Sequence, residues 1–481
     1  MAKIKHMKPL VLDVDGTFLR TDILFECFWA ALGKDPIRTL RVSVSNLNAP
    51  ARLKAELAEI SSLRTDLLPV ETEVVKLSTD AKADGREVIL ASASHHPLVV
   101  QLAKDHDLSE RIFASDGRTN LKGAHKADVL VEAFGEAGFD YAGNASVDRA
   151  VWAKADHAIV VRDTASARQI EARGQPLTQV KGGWRLADVL RSFRPHQWVK
   201  NVLLLLPMIA AHAFDAGTIF AAFMGIIAFS AAASSIYLVN DLLDLEADRL
   251  HATKHKRPFA SGAVPIPIGM LCFVLLAAIA LGVASSLSWA FLGVVAFYMA
   301  LSLAYSLKLK RMRWVDIAVL ASLYTLRVVA GAAATGIYIS GYLLVFIFPV
   351  FLALGCVKRL TELTLATTDE RLPGRGYGRA DRPDLLNVAG LGVVAALVAF
   401  FLYSFTEQAI GLYKTRWLIW VAEIPLAWWL IRMVSLGWHG KQDYDPIVFA
   451  MKDKRGIGLI LMTLAIMFYA AGLWQTWFSA L

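Results

Sequence analysis

Two patterns of apolar and polar positions divide this chain. Up to about residue 190, apolar residues come in short runs between polar turns and stretches of helical spacing. Leu10-Val11-Leu12 closes on Asp13-Val14-Asp15-Gly16-Thr17. Val88-Ile89-Leu90-Ala91 closes on Ser92-Ala93-Ser94-His95-His96, and Phe139-Asp140-Tyr141-Ala142 on Gly143-Asn144-Ala145-Ser146-Val147-Asp148. Each reads as a buried strand ending in a polar turn. Residues 127–134 carry a helical pattern, and alternation of the two kinds predicts a parallel α/β sheet. Residues 18–79 are mainly helical by pattern, which predicts a small cap.

From about residue 200 the apolar runs lengthen. Nine can span a bilayer: 198–213, 217–239, 267–286, 288–306, 314–335, 341–358, 386–406, 416–435 and 457–478. Between the two regimes, Gly174-Gln175-Pro176 and Lys181-Gly182-Gly183 interrupt the soluble pattern. Residues 184–193 read as a short amphipathic helix, suited to a membrane interface or to plain packing. The predicted organisation is an α/β domain over 1–180, a linker over 181–197 and an all-α polytopic membrane domain of about nine transmembrane helices over 198–481.

Composition agrees. The chain is 56% hydrophobic and 19% charged, unusual for a soluble protein. In a membrane protein a net charge of +8 signals orientation and contact with membrane lipids or phosphate, and argues against nucleic acid. Cys27, Cys272 and Cys356 have neither metal-like nor disulfide-like spacing. His95, His96 and His106 lack a metal-ligand arrangement and read as loop or surface residues, His95 or His96 being open to substrate. The basic N-terminus meets Asp13 too soon to be a signal peptide, so the first domain is expected in the cytoplasm. With the N-terminus inside, four cytoplasmic loops collect Arg249 to Arg257, Lys308 to Arg313, Lys358 to Arg382 and Lys441 to Arg455, while the opposite loops hold only Lys414 and Arg416. This asymmetry predicts an inner (cytoplasmic) membrane protein with its C-terminus outside.

The same loops carry acids. On a helix, Asp241, Asp244 and Asp248 fall at i, i+3 and i+7 and line one face. Like charges on one stripe suit a hard cation such as Mg2+, shared with substrate phosphate oxygens. Arg249, Lys254, Lys256 and Arg257 just downstream are suited to phosphate. The competing reading is an acidic loop followed by positive-inside residues. The fourth loop adds Asp443 and Asp445. Arg194, Gln197, Lys200 and Asn201 sit near the first apolar run, and Arg327 lies within the fifth. An arginine inside a span is a functional candidate, or else a structural partner of a nearby acid. Glu362 after Lys358-Arg359 reads as such a pair in a loop.

The first domain's three strand ends, in that order, resemble the haloacid-dehalogenase-like (HAD) phosphatase superfamily. The resemblance implies Asp13 as nucleophile, Asp15 as general acid/base, Ser92 on the phosphate, and Lys126 (Lys122 as second choice) neutralising it. It places Mg2+ on Asp13, the Asp15 carbonyl, Asn144 and Asp148. Asn144 stands where the family usually has aspartate, which leaves a non-catalytic HAD module as an alternative.

Asn240-Asp241-x-x-Asp244-x-x-x-Asp248, Lys254-x-x-Arg257-Pro258, Tyr305-Ser306-Leu307-Lys308 and Asp316 resemble the UbiA-type intramembrane prenyltransferase superfamily, whose two acidic motifs bind diphosphate through Mg2+. Residues 194–201, Asp445-Pro446 and Asp453-Lys454-Arg455 are similar to its decaprenyl-phosphate phosphoribosyltransferase branch. That likeness implies phosphoribosyl diphosphate as donor and a polyprenyl phosphate as acceptor. It puts Mg2+ on Asp241, Asp244, Asp248 and Asp316. Substrate would be held by Lys200, Asn201, Asn240, Lys254, Arg257, Tyr305, Lys308, Arg327, Lys358, Lys452 and Arg455. The lone Asp316 in place of two spaced acids speaks against the rival reading, an aromatic polyprenyltransferase. The fused phosphatase would remove the 5-phosphate from the lipid product, giving a polyprenyl-phosphoryl ribose for envelope glycans.

Overall fold

A computed structural model describes residues 7–366, 371, 375–442 and 445–478. Asp443 lies outside them. Two compact units emerge, one of residues 1–193 with 237–273, the other of 194–236 with 274–481.

In the first unit, among the described residues, six strands form one sheet. They are β1 (Leu10–Leu12), β2 (Val88–His95), β3 (Ile112–Ser115), β4 (Asp140–Gly143), β5 (Ala158–Val161) and β6 (Leu177–Val180). The order is β3-β2-β1-β4-β5-β6 and every pairing is parallel. Both faces are covered, which is why β1 and β5 are continuous apolar runs. Leu10, Leu12, Leu90 and Val161 pack into the core on one face, Val11, Ile89, Tyr141 and Val160 into that on the other. The chain departs from β1 to β2 on one side and to β4 on the other, so the carboxyl ends of these three strands flank a switch point.

The helices expected over 18–79 form as α1 (Ile23–Lys34), Pro36–Ser45 and Pro50–Ser61. The Asp22 carboxylate accepts from Leu24 N at 2.8 Å and starts α1; Asp35 accepts from Arg38 N at 3.0 Å, with Pro36 at the first helical position. Strands β3, β5 and β6 escaped the sequence pattern. Each has four residues, and β6 falls between the two interruptions of the soluble pattern, at the very end of the predicted first domain. The helix expected over 184–193 forms as Leu186–Ser192, with Leu186 and Leu190 exposed.

The chain is a multi-pass membrane protein. Among the described residues eight helices are long and apolar enough to cross a bilayer: Ala216–Leu243, Ile266–Leu287, Trp289–Leu307, Val315–Thr335, Gly341–Leu365, Arg379–Tyr403, Trp417–Trp438 and Lys454–Ala471. The first run counted by pattern, 198–213, is instead a 3₁₀ stretch, Pro195–Leu205, followed by a five-residue α-helix, Leu206–Ala210. It is short, and it buries Lys200 and Asn201, whose polar groups need partners that lipid does not supply. A second correction concerns Lys358, Arg359 and Glu362. They are not in a loop, because the helix continues to Leu365 and buries Arg359 completely.

Candidate functional site

Three groups of polar residues are built into the two units. The first lies at the carboxyl ends of β1, β2 and β4. Beyond β1 the chain turns tightly through Gly16 at φ +74°. A Cβ there would come within 2.2 Å of Asn144 Nδ2, so only glycine fits. The turn buries Asp13, whose Oδ1 accepts from Lys126 Nζ at 2.6 Å. Lys126 also reaches Tyr141 Oη at 3.1 Å, and that hydroxyl donates to Asp148 Oδ1 at 3.0 Å. The other oxygen of Asp148 accepts from the backbone N–H of Asn144 and Ala145, both at 3.1 Å. Asp15 accepts from Ile23 N at 2.8 Å, Ser94 Oγ at 2.7 Å and Ser92 Oγ at 3.4 Å. Thr17 donates to Asn144 Oδ1 at 3.2 Å. Sequence expectations for Asp13, Asp15, Ser92, Lys126, Asn144 and Asp148 therefore fall in one place.

Charge there is unbalanced toward the negative. Burial, with Asp22 and Asp13 adding to it, pushes the Asp15 carboxyl up to about 7. Burial and Asp13 push Asp148 up to about 6 against the pull of Lys126. Burial would lower the Lys126 ammonium, but Asp13 and Asp148 more than offset it and raise its value. Three carboxyls around one buried lysine, with amide and carbonyl oxygens beside them, suit a hard cation such as Mg2+. Among the described residues no three His, Cys, Asp or Glu side chains form a metal shell by themselves. The remaining ligands would have to be amide, carbonyl or substrate oxygens.

The second group is the acidic stripe after the helix Ala216–Leu243. Asp244 leaves helical geometry (φ −102°, ψ 15°), yet its N–H bonds Asn240 O at 3.0 Å and its carbonyl accepts from Asp248 N at 2.8 Å. The stripe is thus kinked, not broken. Asp241 and Asp248 are buried, and Arg257 Nη1 bridges them at 3.1 and 2.6 Å. Burial raises the Asp248 carboxyl, with Arg257 opposing and Asp241 and Asp244 adding. Among the described residues Asn240 Oδ1 is buried without a hydrogen-bond partner. This donor set, too, fits Mg2+. Arg257, expected on phosphate, is bonded to two of the acids. Lys254 is exposed.

The third group belongs to the second unit. Lys200 Nζ lies 2.5 Å from Asp445 Oδ2, Tyr324 Oη 3.2 Å from it and Lys358 Nζ 3.7 Å from it. Burial alone would raise the Asp445 carboxyl, but Lys200 and Lys358 hold it well below the usual carboxylate range. Arg327 donates to Asn201 Oδ1 at 3.1 Å, Leu323 O at 2.6 Å and Tyr298 Oη at 3.1 Å, amid the rings of Phe229, Tyr298 and Tyr324. Asp316 is fully buried. Its Oδ2 accepts from Arg359 Nε at 2.6 Å; its Oδ1 accepts from Tyr305 Oη at 2.8 Å, Arg375 Nη1 at 3.1 Å and Arg359 Nη2 at 3.2 Å. Arg359 also bonds Glu362. With both oxygens engaged by guanidiniums and a phenol, Asp316 does not fit the open metal ligand expected of it. Lys308, Lys452 and Arg455 are exposed.

Sequence reasoning missed several of these residues. Ser94 follows Ser92 by two on β2, so strand alternation alone puts both on one side. Asp445 carried a motif but was given no role; its place between two lysines is a tertiary fact. Arg359 and Arg375 were counted as loop charges. Tyr141, inside an apolar run, gave no signal at all.

Residues 202–452 match the model of the UbiA prenyltransferase family. The chain is 32% identical over 469 residues to protein y4nM of Sinorhizobium fredii, covering 95% of this chain and 90% of that one. It is 33% identical over 276 residues to the decaprenyl-phosphate phosphoribosyltransferase of Mycobacterium tuberculosis, covering 56% of this chain and 89% of that one. A solved UbiA homologue from Archaeoglobus fulgidus, bound to GPP and Mg2+, aligns at 15% identity with a TM-score of 0.45, over 58% of this chain and 99% of that one.

Proposed function

The chain belongs to the UbiA prenyltransferase family, and from that membership we propose that its membrane half transfers 5-phosphoribose from phosphoribosyl diphosphate to a polyprenyl phosphate. The observation that carries this reading is the Lys200–Asp445–Lys358 cluster, buried at Lys200 and half-buried at the other two, with Arg327 and Asn201 hydrogen-bonded beside Tyr324 and Tyr298. A prenyl donor with an aromatic acceptor presents one phosphate-bearing group, its diphosphate, with at most a carboxylate on the acceptor. A phosphoribosyl donor with a lipid phosphate presents three, and needs cations for each. The mycobacterial relative's name is that of the same reaction.

The acceptor phosphate is already an anion and requires no strong base. Its oxygen attacks the anomeric carbon of the ribose, a new C–O bond forms there, and the bond to diphosphate breaks. Asn240, Asp241, Asp244 and Asp248 would hold Mg2+, which supplies charge stabilisation to the leaving diphosphate. Lys200, Lys358 and Arg327 take phosphate oxygens, and their work is positioning and charge stabilisation.

The N-terminal domain then removes the 5-phosphate. Asp13 attacks phosphorus and becomes phosphorylated; Asp15 protonates the departing ribose oxygen; water releases phosphate from Asp13. Lys126 neutralises the incoming charge, and Ser92 and Ser94 bond its oxygens. Asp13, Asn144, Asp148 and the Asp15 carbonyl would hold Mg2+. The product is a polyprenyl-phosphoryl ribose for envelope glycans. Both sites work on the cytoplasmic side of the inner membrane.

Purified protein incubated with labelled phosphoribosyl diphosphate and polyprenyl phosphate tests both steps. Lipid-linked ribose is expected from wild type, and lipid-linked phosphoribose from Asp13→Asn. No lipid product refutes the transferase reading. A 5-phosphate that survives equally in both proteins refutes the phosphatase reading and leaves the first domain a binding module.

A further inference from the structure

The helix Pro36–Ser45 of the cap has its apolar side outward. Ile37, Leu40 and Val44 are 75%, 53% and 70% exposed, and Leu47 just beyond it is 71% exposed. They recur at i, i+3, i+7 and i+10, one continuous stripe along the helix and its exit. The side facing the protein is the more polar one, with Thr39 and Asn46 buried. Arg41 lies along the exposed stripe and Arg38 at its rim, where Nη2 is 3.7 Å from Glu59. An amphipathic helix turned inside out, with arginines among its apolar residues, is the pattern of an element lying in a bilayer interface.

The first unit also fixes where this helix begins. It follows α1 directly. Glu26 of α1 is buried in a two-pronged ion pair with Arg249, at 2.6 and 3.0 Å, and Arg249 Nε also donates to Ala260 O at 3.0 Å. Gly262 of the same loop packs so closely that a Cβ would come within 2.6 Å of Arg20 Cβ and 3.1 Å of Pro69. At the far end of α1, a Cβ on Gly33 would lie 3.8 Å from the carbonyl oxygen of Leu243. Leu243 is the last residue of the membrane-spanning helix Ala216–Leu243. The end of α1 that leads into the exposed stripe therefore packs against the last residue of that helix.

We propose that the helix Pro36–Ser45 is a membrane-docking element of the phosphatase cap, seated in an anionic lipid surface through Ile37, Leu40, Val44 and Leu47 with Arg38 and Arg41 at the headgroups. Its purpose rests on the reading given above, that the phosphatase substrate is lipid-linked. A phosphate attached to a polyprenyl chain stays at the membrane surface, so a soluble catalytic domain must come to it. The N-terminus of α1 lies on the catalytic side, since Ile23 N bonds Asp15, and its C-terminus leads into the docking helix. One rigid helix thus joins the lipid-facing element to the phosphatase site. The helix Pro50–Ser61, next in the cap, sends Lys54 back to Ala93 O at 2.6 Å, at the end of β2.

The test uses the full chain in nanodiscs with and without anionic lipid. A fluorophore on Leu40→Cys should be quenched by lipids brominated on the acyl chain, and one on an exposed loop control, Arg118→Cys, should not. Equal quenching at the two positions, or none at Leu40→Cys, overturns the proposal whatever the enzyme's activity. The triple variant I37S/L40S/V44S alters only exposed side chains. It should raise the KM for the lipid-linked phosphate about tenfold with kcat unchanged, the signature of lost uniform binding, while hydrolysis of a soluble phosphomonoester stays within twofold. An unchanged KM for the lipid substrate overturns the role in lipid capture. Wild type that hydrolyses neither substrate overturns the phosphatase reading, and the quenching result then decides docking alone.

Discussion

Replacing Asp316 by asparagine separates a structural anchor from a metal ligand. The Asp316 and Arg359 side chains are both 0% exposed, and Arg375, 23% exposed, adds a second cation. Removing one member of a buried ion pair costs about 3–5 kcal/mol, because the other charge stays behind in a poor solvent. Here Arg359 keeps Glu362, and Arg375 can turn toward water, so about 3 kcal/mol is the appropriate figure. In a body of this size each kcal/mol shifts Tm by about 2–4 °C, so Asp316→Asn should melt roughly 6–12 °C lower. The assay is thermal unfolding of the detergent-solubilised full chain, read by intrinsic fluorescence, beside a Mg2+ titration of lipid-product formation. The anchor role requires a lower Tm with unchanged Mg2+ half-saturation in the folded fraction. An unchanged Tm with a much higher Mg2+ requirement would refute the reasoning and restore Asp316 as a ligand.

Three further outcomes follow from the same geometry. Lys126→Met removes the buried cation that accompanies Asp13 and should lower the phosphatase kcat by about 10²–10³-fold, the usual effect of deleting one preorganised electrostatic partner, measured on a soluble phosphomonoester. The Asp445 carboxyl is held below its unfolded value, so its contribution to stability is complete above that value, about 3.9, and fades only as pH falls through the lower folded value. The Tm difference between wild type and Asp445→Asn should accordingly stay constant from pH 5 to pH 6, where the partner lysines are charged; a difference that shrinks within that window contradicts the assignment. Gly262→Ala puts a Cβ at φ +68° and 2.6 Å from Arg20 Cβ, and should destabilise the loop by about 1–3 kcal/mol, detectable as faster hydrogen exchange over residues 250–265 than over the sheet.

The sequence by itself determined the two-part architecture, because length and period of apolar runs are local properties. Runs of three or four residues before polar turns, alternating with helical patterns, read as buried strands, and runs near twenty as membrane spans. The strand-end residues Asp13, Ser92, Asn144 and Asp148 were legible for the same reason: a parallel sheet delivers its carboxyl ends to one edge. The acidic stripe was legible because its spacing is helical. The partners of these groups were not. Nothing local says that Asp445 sits between Lys200 and Lys358, which are 245 and 87 positions away, or that Tyr141 joins Lys126 to Asp148. Arg359 read as a loop charge because an isolated arginine does not belong in an apolar helix; buried Asp316 and Glu362 make it stable there. The outward stripe of Pro36–Ser45 shows the limit most clearly. Its helical period was visible, but a period does not say which side faces the core. Only packing decided that Thr39 and Asn46 turn inward while Ile37, Leu40 and Val44 face outward, and burial is a property of neighbours that the chain brings together from far apart.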